Sequence, residues 1–255
     1  MVKKTGVVVP TLGTRSELLS ECLNSIRLAG DVFIQLVAPS SFDAHPLIAS
    51  GLVDGISLDP RAGLAKAINL GIAELPREIM YATWLGDDDL LKSSAVTLCE
   101  QVLEELPTAV LVYGNCEYID GKGNKIWENS FGRVASKIIR FGPCLIPQPG
   151  SLFRRNVFEK IGGLDATYGW AFDFDLFIRL SKQGSIEYIN KELASFRWHS
   201  DSLTVRQRKE SVCEASVARA RNQAVILRTF MRPIEPLIRI ATLHGPRLFK
   251  QKRVV

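Results

Sequence analysis

The sequence lacks the features that mark membrane-spanning, secreted and disulfide-rich proteins. It has no run of about 18 apolar residues, and residues 1–6 lead into a short valine-rich segment without the apolar core and cleavage site of a secretory signal. The five cysteines are scattered, odd in number and free of any C-x-x-C pair. We therefore expect a cytosolic chain whose cysteines are reduced and mostly buried, with no disulfide framework and no structural zinc site.

The composition is that of an ordinary globular protein with an uneven charge. The 255 residues are 46% hydrophobic and 23% charged, which excludes a disordered chain, collagen and coiled coil. Residues 1–205 carry 20 Lys and Arg against 24 Asp and Glu, whereas residues 206–255 carry 12 against 3. A basic tail thus follows a near-neutral body, and such a tail favours contact with an anionic surface or partner.

Strand and helix patterns alternate through the first part of the chain. Short apolar runs predict strands at 6–10, 32–38, 55–59 and 79–85, and apolar residues at helical spacing predict helices at 16–28 and 64–75. This alternation is typical of βαβ units and predicts an α/β fold with a mostly parallel sheet between helices. Ligands of such sheets bind at the carboxyl ends of the strands.

The second half of the chain follows a different pattern. A predicted helix at 93–106 precedes a hairpin formed by 109–120 and 125–128, so we expect the sheet to become mixed. After a connection that contains three prolines, the remaining predictions are a strand at 151–154, a helix at 156–161, a helix at 172–183, extended structure at 186–198 and one or two helices within 205–231.

Three carboxylates, Asp87, Asp88 and Asp89, directly follow the predicted strand 79–85. Their negative charges repel one another. Placing them beside a buried strand costs folding free energy unless a cation lies among them. Hard oxygen ligands suit Mg²⁺ or Mn²⁺, which often completes its shell with substrate phosphate oxygens. The structural alternative is a solvated acidic turn that caps the next helix near Ser93. The position at the end of a buried strand favours the metal site.

A second acidic pair, Asp173 and Asp175, lies at the start of the predicted helix 172–183. Residues two apart on a helix point about 200° apart, so at most one of the two faces a common site. Arg179 follows Asp175 by four residues, which is the spacing of an intrahelical ion pair. This leaves Asp173 as the candidate for chemistry.

His199 closes the extended segment and precedes a loop rich in hydroxyl groups. Such a loop can bind phosphate or supply one imidazole to a metal. The structural alternative, a histidine at the surface or in ordinary packing, is more common for a lone histidine. Both interpretations stay open on the residues alone.

Together the segments 7–11, 63–71, 84–89, 162–179 and 197–199, in this order, resemble the family 2 glycosyltransferases of the GT-A fold. These are bacterial enzymes that move a sugar from a nucleoside diphosphate to a hydroxyl group. The resemblance implies a GT-A (Rossmann-like) domain, a mixed and mostly parallel sheet flanked by helices, over 1–205. Its nucleotide-binding half would be 1–92 and its acceptor and catalytic half 93–205, with a basic helical extension at 206–255.

The resemblance also implies roles for individual residues. Asp88 and His199 would bind Mn²⁺ or Mg²⁺ at the donor diphosphate. Asp173 would be the base that takes the proton of the acceptor hydroxyl as its oxygen attacks the anomeric carbon with inversion. The residues implied to line the nucleotide-sugar pocket are Pro10, Thr11, Arg15, Arg61, Gly63, Asn69, Asp87 and Asp89.

The sequence departs from this family at the nucleoside end of the site. The segment 37–40 lacks the usual acidic residue, 12–13 lacks the common aromatic residue and Asn, and Gly86 stands where many members have the first Asp. The donor nucleotide therefore stays open. Two alternative functions stay open: a nucleotidyltransferase on a similar sheet and a noncatalytic scaffold. A nucleotidyltransferase is expected to have a Gly-rich basic loop after the first strand, and residues 12–15 contain only one Gly and one Arg.

The basic tail has two interpretations. From Ala215 onward, aliphatic residues mix with arginines, and three prolines interrupt them. The segment either lies on an anionic membrane, where lipid-linked sugar acceptors reside, or packs on the body with solvated arginines. Nucleic-acid binding is not expected because aromatic residues are sparse there. The expected activity extends a cell-surface polysaccharide or a lipid-linked saccharide at the cytoplasmic face of the inner membrane.

Overall fold

The computed structural model describes residues 3–129, 131–198 and 207–250. Its strands are β1 Thr5–Pro10, β2 Val32–Ala38, β3 Gly55–Leu58, β4 Tyr81–Trp84, β5 Leu90–Leu91, β6 Ala109–Ile119, β7 Lys125–Asn129, β8 Leu152–Arg154 and β9 Ser185–Arg197. Its helices are α1 Ser16–Ala29, α2 His45–Ala49, α3 Leu64–Ala73, α4 Ala95–Glu105, α5 Arg133–Ile138, α6 Arg155–Lys160, α7 Phe172–Leu180, α8 Arg208–Asn222, α9 Val225–Met231 and α10 Glu235–Lys250.

One mixed sheet organises the described chain. Its strand order is β3-β2-β1-β4-β8-β6-β9-β5, and β7 pairs with β6. The strands β1, β2, β3, β4, β6 and β9 point the same way, while β5, β7 and β8 run antiparallel to their neighbours. The predicted α/β class, a mixed and mostly parallel sheet flanked by helices, is therefore confirmed.

Two apolar cores lie on opposite faces of this sheet. The β1 side chains alternate between them: Val8 packs with α3 and α7, whereas Val7 and Val9 pack with α1 and α4. This alternation follows from the two-residue period of a strand that is buried on both faces. The amphipathic spacing of α1 and α3 therefore predicted their buried faces correctly.

The described structure contains elements that the sequence patterns did not indicate. These are α2, α5 and the two-residue strand β5, whereas α10 falls within the helical extension expected at 206–255. β5 exists because it pairs with β9, more than 100 residues later, through Leu90 with Ser195 and Leu91 with Ala194. No local period can reveal so short a strand. The helix α7 also ends at Leu180, three residues before the predicted end.

The helix α8, which is the first helix of the C-terminal segment, packs on the preceding domain. Ala218 is fully buried in the same core as α7, and Asn222 Nδ2 donates to Asp175 Oδ1 at 2.8 Å. The division into a domain at 1–205 and an extension at 206–255 stays a prediction. The five cysteines are free thiols, of which Cys22, Cys99 and Cys116 are buried. None of the described helices is both long enough and apolar enough to cross a membrane.

Candidate active site at the carboxyl end of the parallel strands

The acidic turn lies between β4 and β5, at the carboxyl end of the parallel strands. Leu85 continues β4 by donating its N–H to Val8 O at 2.9 Å, and Asp89 N closes the turn on Gly86 O at 3.1 Å. A Cβ at residue 86 would lie 2.9 Å from Asp89 Oδ2 and 3.1 Å from Asp88 Oδ1. The absence of a side chain at Gly86 thus leaves room for the two carboxylates that follow it.

Asp87 is buried and held by residues that follow β1. Thr11 Oγ1 donates to Asp87 Oδ2 at 2.6 Å, and Arg15 forms an ion pair with Asp87 Oδ1. Burial raises the pKa of Asp87, while the Thr11 hydrogen bond and the Arg15 charge oppose that rise. The structure thus brings Asp87, Thr11 and Arg15 together, and their binding of a nucleotide sugar stays a prediction.

Asp88 shares the same guanidinium, because Arg15 Nη1 pairs with Asp88 Oδ2 while Arg15 Nη2 pairs with Asp87. Asp89 is buried and accepts the backbone N–H of Arg197 at 2.9 Å. Burial, reinforced by the charge of Asp88, raises the pKa of Asp89 well above its usual range. An additional cation at the turn would oppose that rise and favour the ionised form of Asp89.

Arg197 braces the acidic turn from β9. Its side chain is 3% exposed, its Nε donates to Asp88 O at 2.9 Å, and its Nη2 pairs with Glu21 Oε2 at 2.8 Å. Its Nη1 also donates to Gly121 O at 3.1 Å, which ties in the β6–β7 turn. The sequence assigned no role to Arg197 itself, since its only signal was its place in the segment 197–199 that resembles the family.

Asp173 lies in the first turn of α7, next to a residue that contacts the end of β4. The Phe172 ring contacts the Trp84 ring with centroids 6.3 Å apart, so the residue before Asp173 touches the last residue of β4. Asp173 Oδ1 accepts the N–H of Phe174 at 2.7 Å. Burial raises the pKa of Asp173 to about 6, in the range that suits a general base near neutral pH.

Asp175 has the structural role that its spacing indicated. Arg179 Nε donates to Asp175 Oδ2 at 2.6 Å, and the same guanidinium donates to Gly163 O at 2.7 Å. The predicted Asp175–Arg179 ion pair is thereby confirmed. It ties α7 to the turn after α6. Asp173 is the acidic residue of this helix that directly follows Phe172, whose ring contacts Trp84.

Glu214, on α8, holds the loop that leads into α7. Its carboxylate accepts the backbone N–H groups of Gly169, Trp170 and Ala171 at 2.9, 2.7 and 3.0 Å. Three consecutive N–H groups at a helix start form a site for an anion, which here is filled by a side chain of the same molecule. No local sequence signal could have identified Glu214, because its partners lie about 45 residues earlier.

The other predicted pocket residues lie on or after β1, β3 and α3. Pro10 ends β1, next to Thr11. Arg61 and Gly63 lie after β3 with positive φ angles of 54° and 99°, and the Arg61 side chain is 63% exposed. Asn69 is engaged elsewhere, since its amide exchanges hydrogen bonds of 2.8 and 2.9 Å with the backbone of Leu164. It thus joins α3 to the turn at residues 162–165, which follows α6.

His199 lies outside the described residues. Among residues 3–129, 131–198 and 207–250, no group of three or more His, Cys, Asp and Glu side chains forms a shell for a metal ion. The carboxylates of Asp87 and Asp88 nevertheless converge on one point, which the Arg15 guanidinium marks. Their hard oxygen donors fit a divalent ion such as Mg²⁺ or Mn²⁺, with phosphate oxygens and water completing its shell.

Sequence comparison finds partial similarity to glycosyltransferases. No protein-family model matches the chain. Over 149 residues it is 26% identical to an uncharacterised glycosyltransferase of Rickettsia typhi, a match covering 56% of this chain and 46% of that protein. It is 23% identical over 148 residues to the hyaluronan synthase of Pasteurella multocida, covering 58% of this chain and 15% of the synthase. The chain spans less than half the length of these relatives.

Comparison with solved structures extends the similarity to nearly the whole fold. A mannosyltransferase from Pyrobaculum calidifontis, solved with GDP-Man and Mn²⁺, matches 97% of this chain and 76% of its own with a TM-score of 0.66 at 13% identity. Residues 1–349 of S. aureus TarS, solved with UDP, match 86% of this chain and 65% of their own with a TM-score of 0.61 at 14% identity. The fold of this chain is therefore GT-A-like, similar to that of known glycosyltransferases.

Proposed function

We propose that the protein is a metal-dependent, inverting glycosyltransferase of the family 2 type. The observation that carries the proposal is the acidic turn 87–89, held by Thr11 and Arg15 at the carboxyl end of β4, with Asp173 on the helix that touches β4. The similarity in sequence and fold to enzymes named as glycosyltransferases supports it. The donor would be a nucleoside diphosphate sugar, as the ligands of two similar structures suggest.

On the donor side, the residues of the acidic turn would hold the diphosphate. Asp88 would bind Mn²⁺ or Mg²⁺ together with His199, and Asp87 and Asp89 would assist. The bound ion would neutralise charge that develops on the departing nucleoside diphosphate. Arg15, the cation that now pairs with Asp87 and Asp88, would turn to the phosphate oxygens, for which its planar guanidinium is well suited. Pro10, Thr11, Arg61, Gly63 and Asn69 complete the proposed pocket.

On the acceptor side, Asp173 would act as the general base. Its ionised carboxylate takes the proton of the acceptor hydroxyl while that oxygen bonds to the anomeric carbon. The bond from that carbon to the diphosphate oxygen breaks on the opposite face, so the configuration inverts. A pKa of about 6 keeps Asp173 ionised at neutral pH and basic enough to accept the proton. Glu214 and Phe172 would keep its helix start in place.

The proposed acceptor is a hydroxyl of a saccharide or of a lipid-linked saccharide in cell-surface polysaccharide synthesis. We place the reaction in the cytoplasm, at the cytoplasmic face of the inner membrane, since a nucleotide sugar and a lipid-linked acceptor would meet there. The basic tail supports this location, because residues 206–255 carry 12 Lys and Arg against 3 Asp and Glu.

The first experiment is a calorimetric titration of UDP, GDP, dTDP and CDP into the protein, with and without Mn²⁺. We expect one nucleotide to bind only with the metal, and the Asp88→Ala variant to lose that binding. Asp31→Ala, which removes an exposed carboxylate that precedes β2, is the matched control and should bind as the wild type does. If none of the four nucleotides binds, the donor site is wrong and a noncatalytic scaffold becomes the better description.

The second experiment uses the sugar donor of whichever nucleotide binds. Asp173→Asn should keep metal-dependent nucleotide binding and lose about 10²–10⁴-fold of the transfer or donor-hydrolysis rate, the usual contribution of a general base. Full turnover by this variant would remove Asp173 from the mechanism while leaving the donor site intact.

A further inference from the structure

The outer face of α10 and the residue directly before this helix expose large aliphatic side chains in a regular pattern. Ile234, Leu237 and Ile240 are 45%, 66% and 56% exposed, and they follow one another at three-residue spacing. On a helix this spacing keeps them on one side within about 120° of arc. We call this stripe of Ile234, Leu237 and Ile240 the outer stripe.

The opposite side of α10 is fixed to α8 by polar contacts. Glu235 Oε1 pairs with Arg219 Nη2 at 2.8 Å, and Arg239 Nε donates to Ser216 Oγ at 3.0 Å. The Arg219 side chain is 3% exposed and also donates to Gly142 O. The contacts between α8 and α10 are therefore connected to the rest of the domain. The contacts of Glu235 and Arg239 with α8 therefore fix the orientation of α10, and the outer stripe faces away from α8.

The chain segment directly before the outer stripe is positively charged. Arg228 on α9 and Arg232 after it are exposed. Glu235 is the only acidic residue of 225–250, and its carboxylate is engaged by the buried Arg219. An aliphatic stripe flanked by arginines has the composition of a surface that rests on lipid headgroups, where the aliphatic groups enter the acyl boundary and the cations meet phosphate.

We infer that the outer stripe, together with Arg228 and Arg232, is a docking surface for an anionic phospholipid membrane. Charge decides against a second copy of the chain as the occupant, because two such faces would bring arginines against arginines. Three aliphatic side chains also give too little apolar area for a stable dimer. This inference rests on the proposed location at the membrane but not on the transfer chemistry, since lipid binding requires neither donor nor acceptor.

The test is co-sedimentation of the full chain with vesicles, either pure phosphatidylcholine or phosphatidylcholine with about one third phosphatidylglycerol. We expect binding to the anionic vesicles, at least tenfold weaker binding to the neutral ones, and loss of binding at high salt. Leu237→Glu/Ile240→Glu and Arg228→Glu/Arg232→Glu should each lower the partition coefficient on anionic vesicles by about 30-fold or more.

Two matched variants separate the surface from general effects of charge and exposure. Leu28→Glu changes an equally exposed leucine on α1, and Arg77→Glu changes an exposed arginine before β4. Both should bind vesicles within about threefold of the wild type. Circular dichroism of every variant should match the wild type, which separates lost binding from lost fold.

Several outcomes would overturn the inference: equal binding to both vesicle types, no binding to either, or wild-type binding by the two double variants. Nucleotide titration on the same preparations reports the donor site separately. A protein that binds nucleotide and metal but no vesicles would thus refute the membrane surface and leave the proposed transfer function standing.

Discussion

Arg15 is the residue on which the donor site depends most directly. Its guanidinium pairs with both Asp87 and Asp88 and so lies where a divalent ion would also be attracted. One cation must give way when the other arrives, since like charges at contact distance repel. A diphosphate offers Arg15 an alternative partner of matching geometry, which would make metal binding and nucleotide binding favour each other.

The variant Arg15→Ala should therefore have effects of opposite sign. Mn²⁺ alone should bind about tenfold more tightly, because a competing charge is gone, while the nucleotide in saturating Mn²⁺ should bind about tenfold more weakly. Isothermal calorimetry measures both. Arg27→Ala, which removes the pair between α1 and Asp54, is the control and should change neither. An unchanged Mn²⁺ affinity in Arg15→Ala would contradict the competition.

The ionised carboxylate of Asp173 should lower the free energy of unfolding at neutral pH. Its folded-state pKa of about 6 lies above the unfolded value near 3.8, so the folded state binds the proton more tightly. The penalty is fully present above pH 6 and disappears as pH falls toward 4. Asp173→Asn should be about 1–3 kcal/mol more stable than the wild type at pH 7, with the difference shrinking toward zero near pH 4.

Urea denaturation across this pH range measures the difference in the free energy of unfolding. Asp31→Asn, at an exposed position, serves as the control and should follow the wild type at every pH. A pH-independent difference for Asp173→Asn would mean that the carboxyl group of Asp173 does not titrate above its unfolded pKa.

At the scale of elements, the start of α7 depends on α8. The Glu214 carboxylate accepts three N–H groups of residues 169–171, and removing it leaves three donors without that acceptor. Glu214→Ala should lower the free energy of unfolding by about 2–4 kcal/mol. It should also speed hydrogen exchange of these three amides relative to the rest of α7. Glu210→Ala, at an exposed glutamate of the same helix, should cost less than about 0.5 kcal/mol.

Hydrogen exchange followed by mass spectrometry distinguishes local from global loosening. If the amides of 169–171 stay as protected in Glu214→Ala as in the wild type, the loop is held by other contacts. The result would then also weaken the case that Glu214 keeps the start of the Asp173 helix in place.

At the scale of the whole molecule, α8 belongs to the body by its contacts. Ala218 is fully buried in a core, Arg219 Nη1 donates to Gly142 O, and Asn222 donates to Asp175. A chain that ends at residue 223 should therefore unfold cooperatively, whereas a chain that ends at residue 205 should not. Denaturant unfolding followed by tryptophan fluorescence compares the two. Cooperative unfolding of the shorter chain would support the predicted division at 205 instead.

The sequence by itself determined the alternation of β1 to β4 with their helices, the hairpin of β6 and β7, and the acidic turn at a strand end. Each of these rests on local information: hydrophobic period, chain-breaking residues and adjacency along the chain. The intrahelical pair of Asp175 and Arg179 was predictable for the same reason, because helix geometry alone brings residues four apart into contact.

Only the tertiary structure decided which distant residues meet. The pairing of β5 with β9, the brace from Arg197 to Asp88, and the contact of Glu214 with residues 169–171 each join segments far apart in the chain. Asn69 illustrates the same limit, since no local pattern indicates that its amide bonds the backbone of Leu164. Periodicity reports which face of an element is buried, but the partner on that face is chosen by the packing of the whole chain.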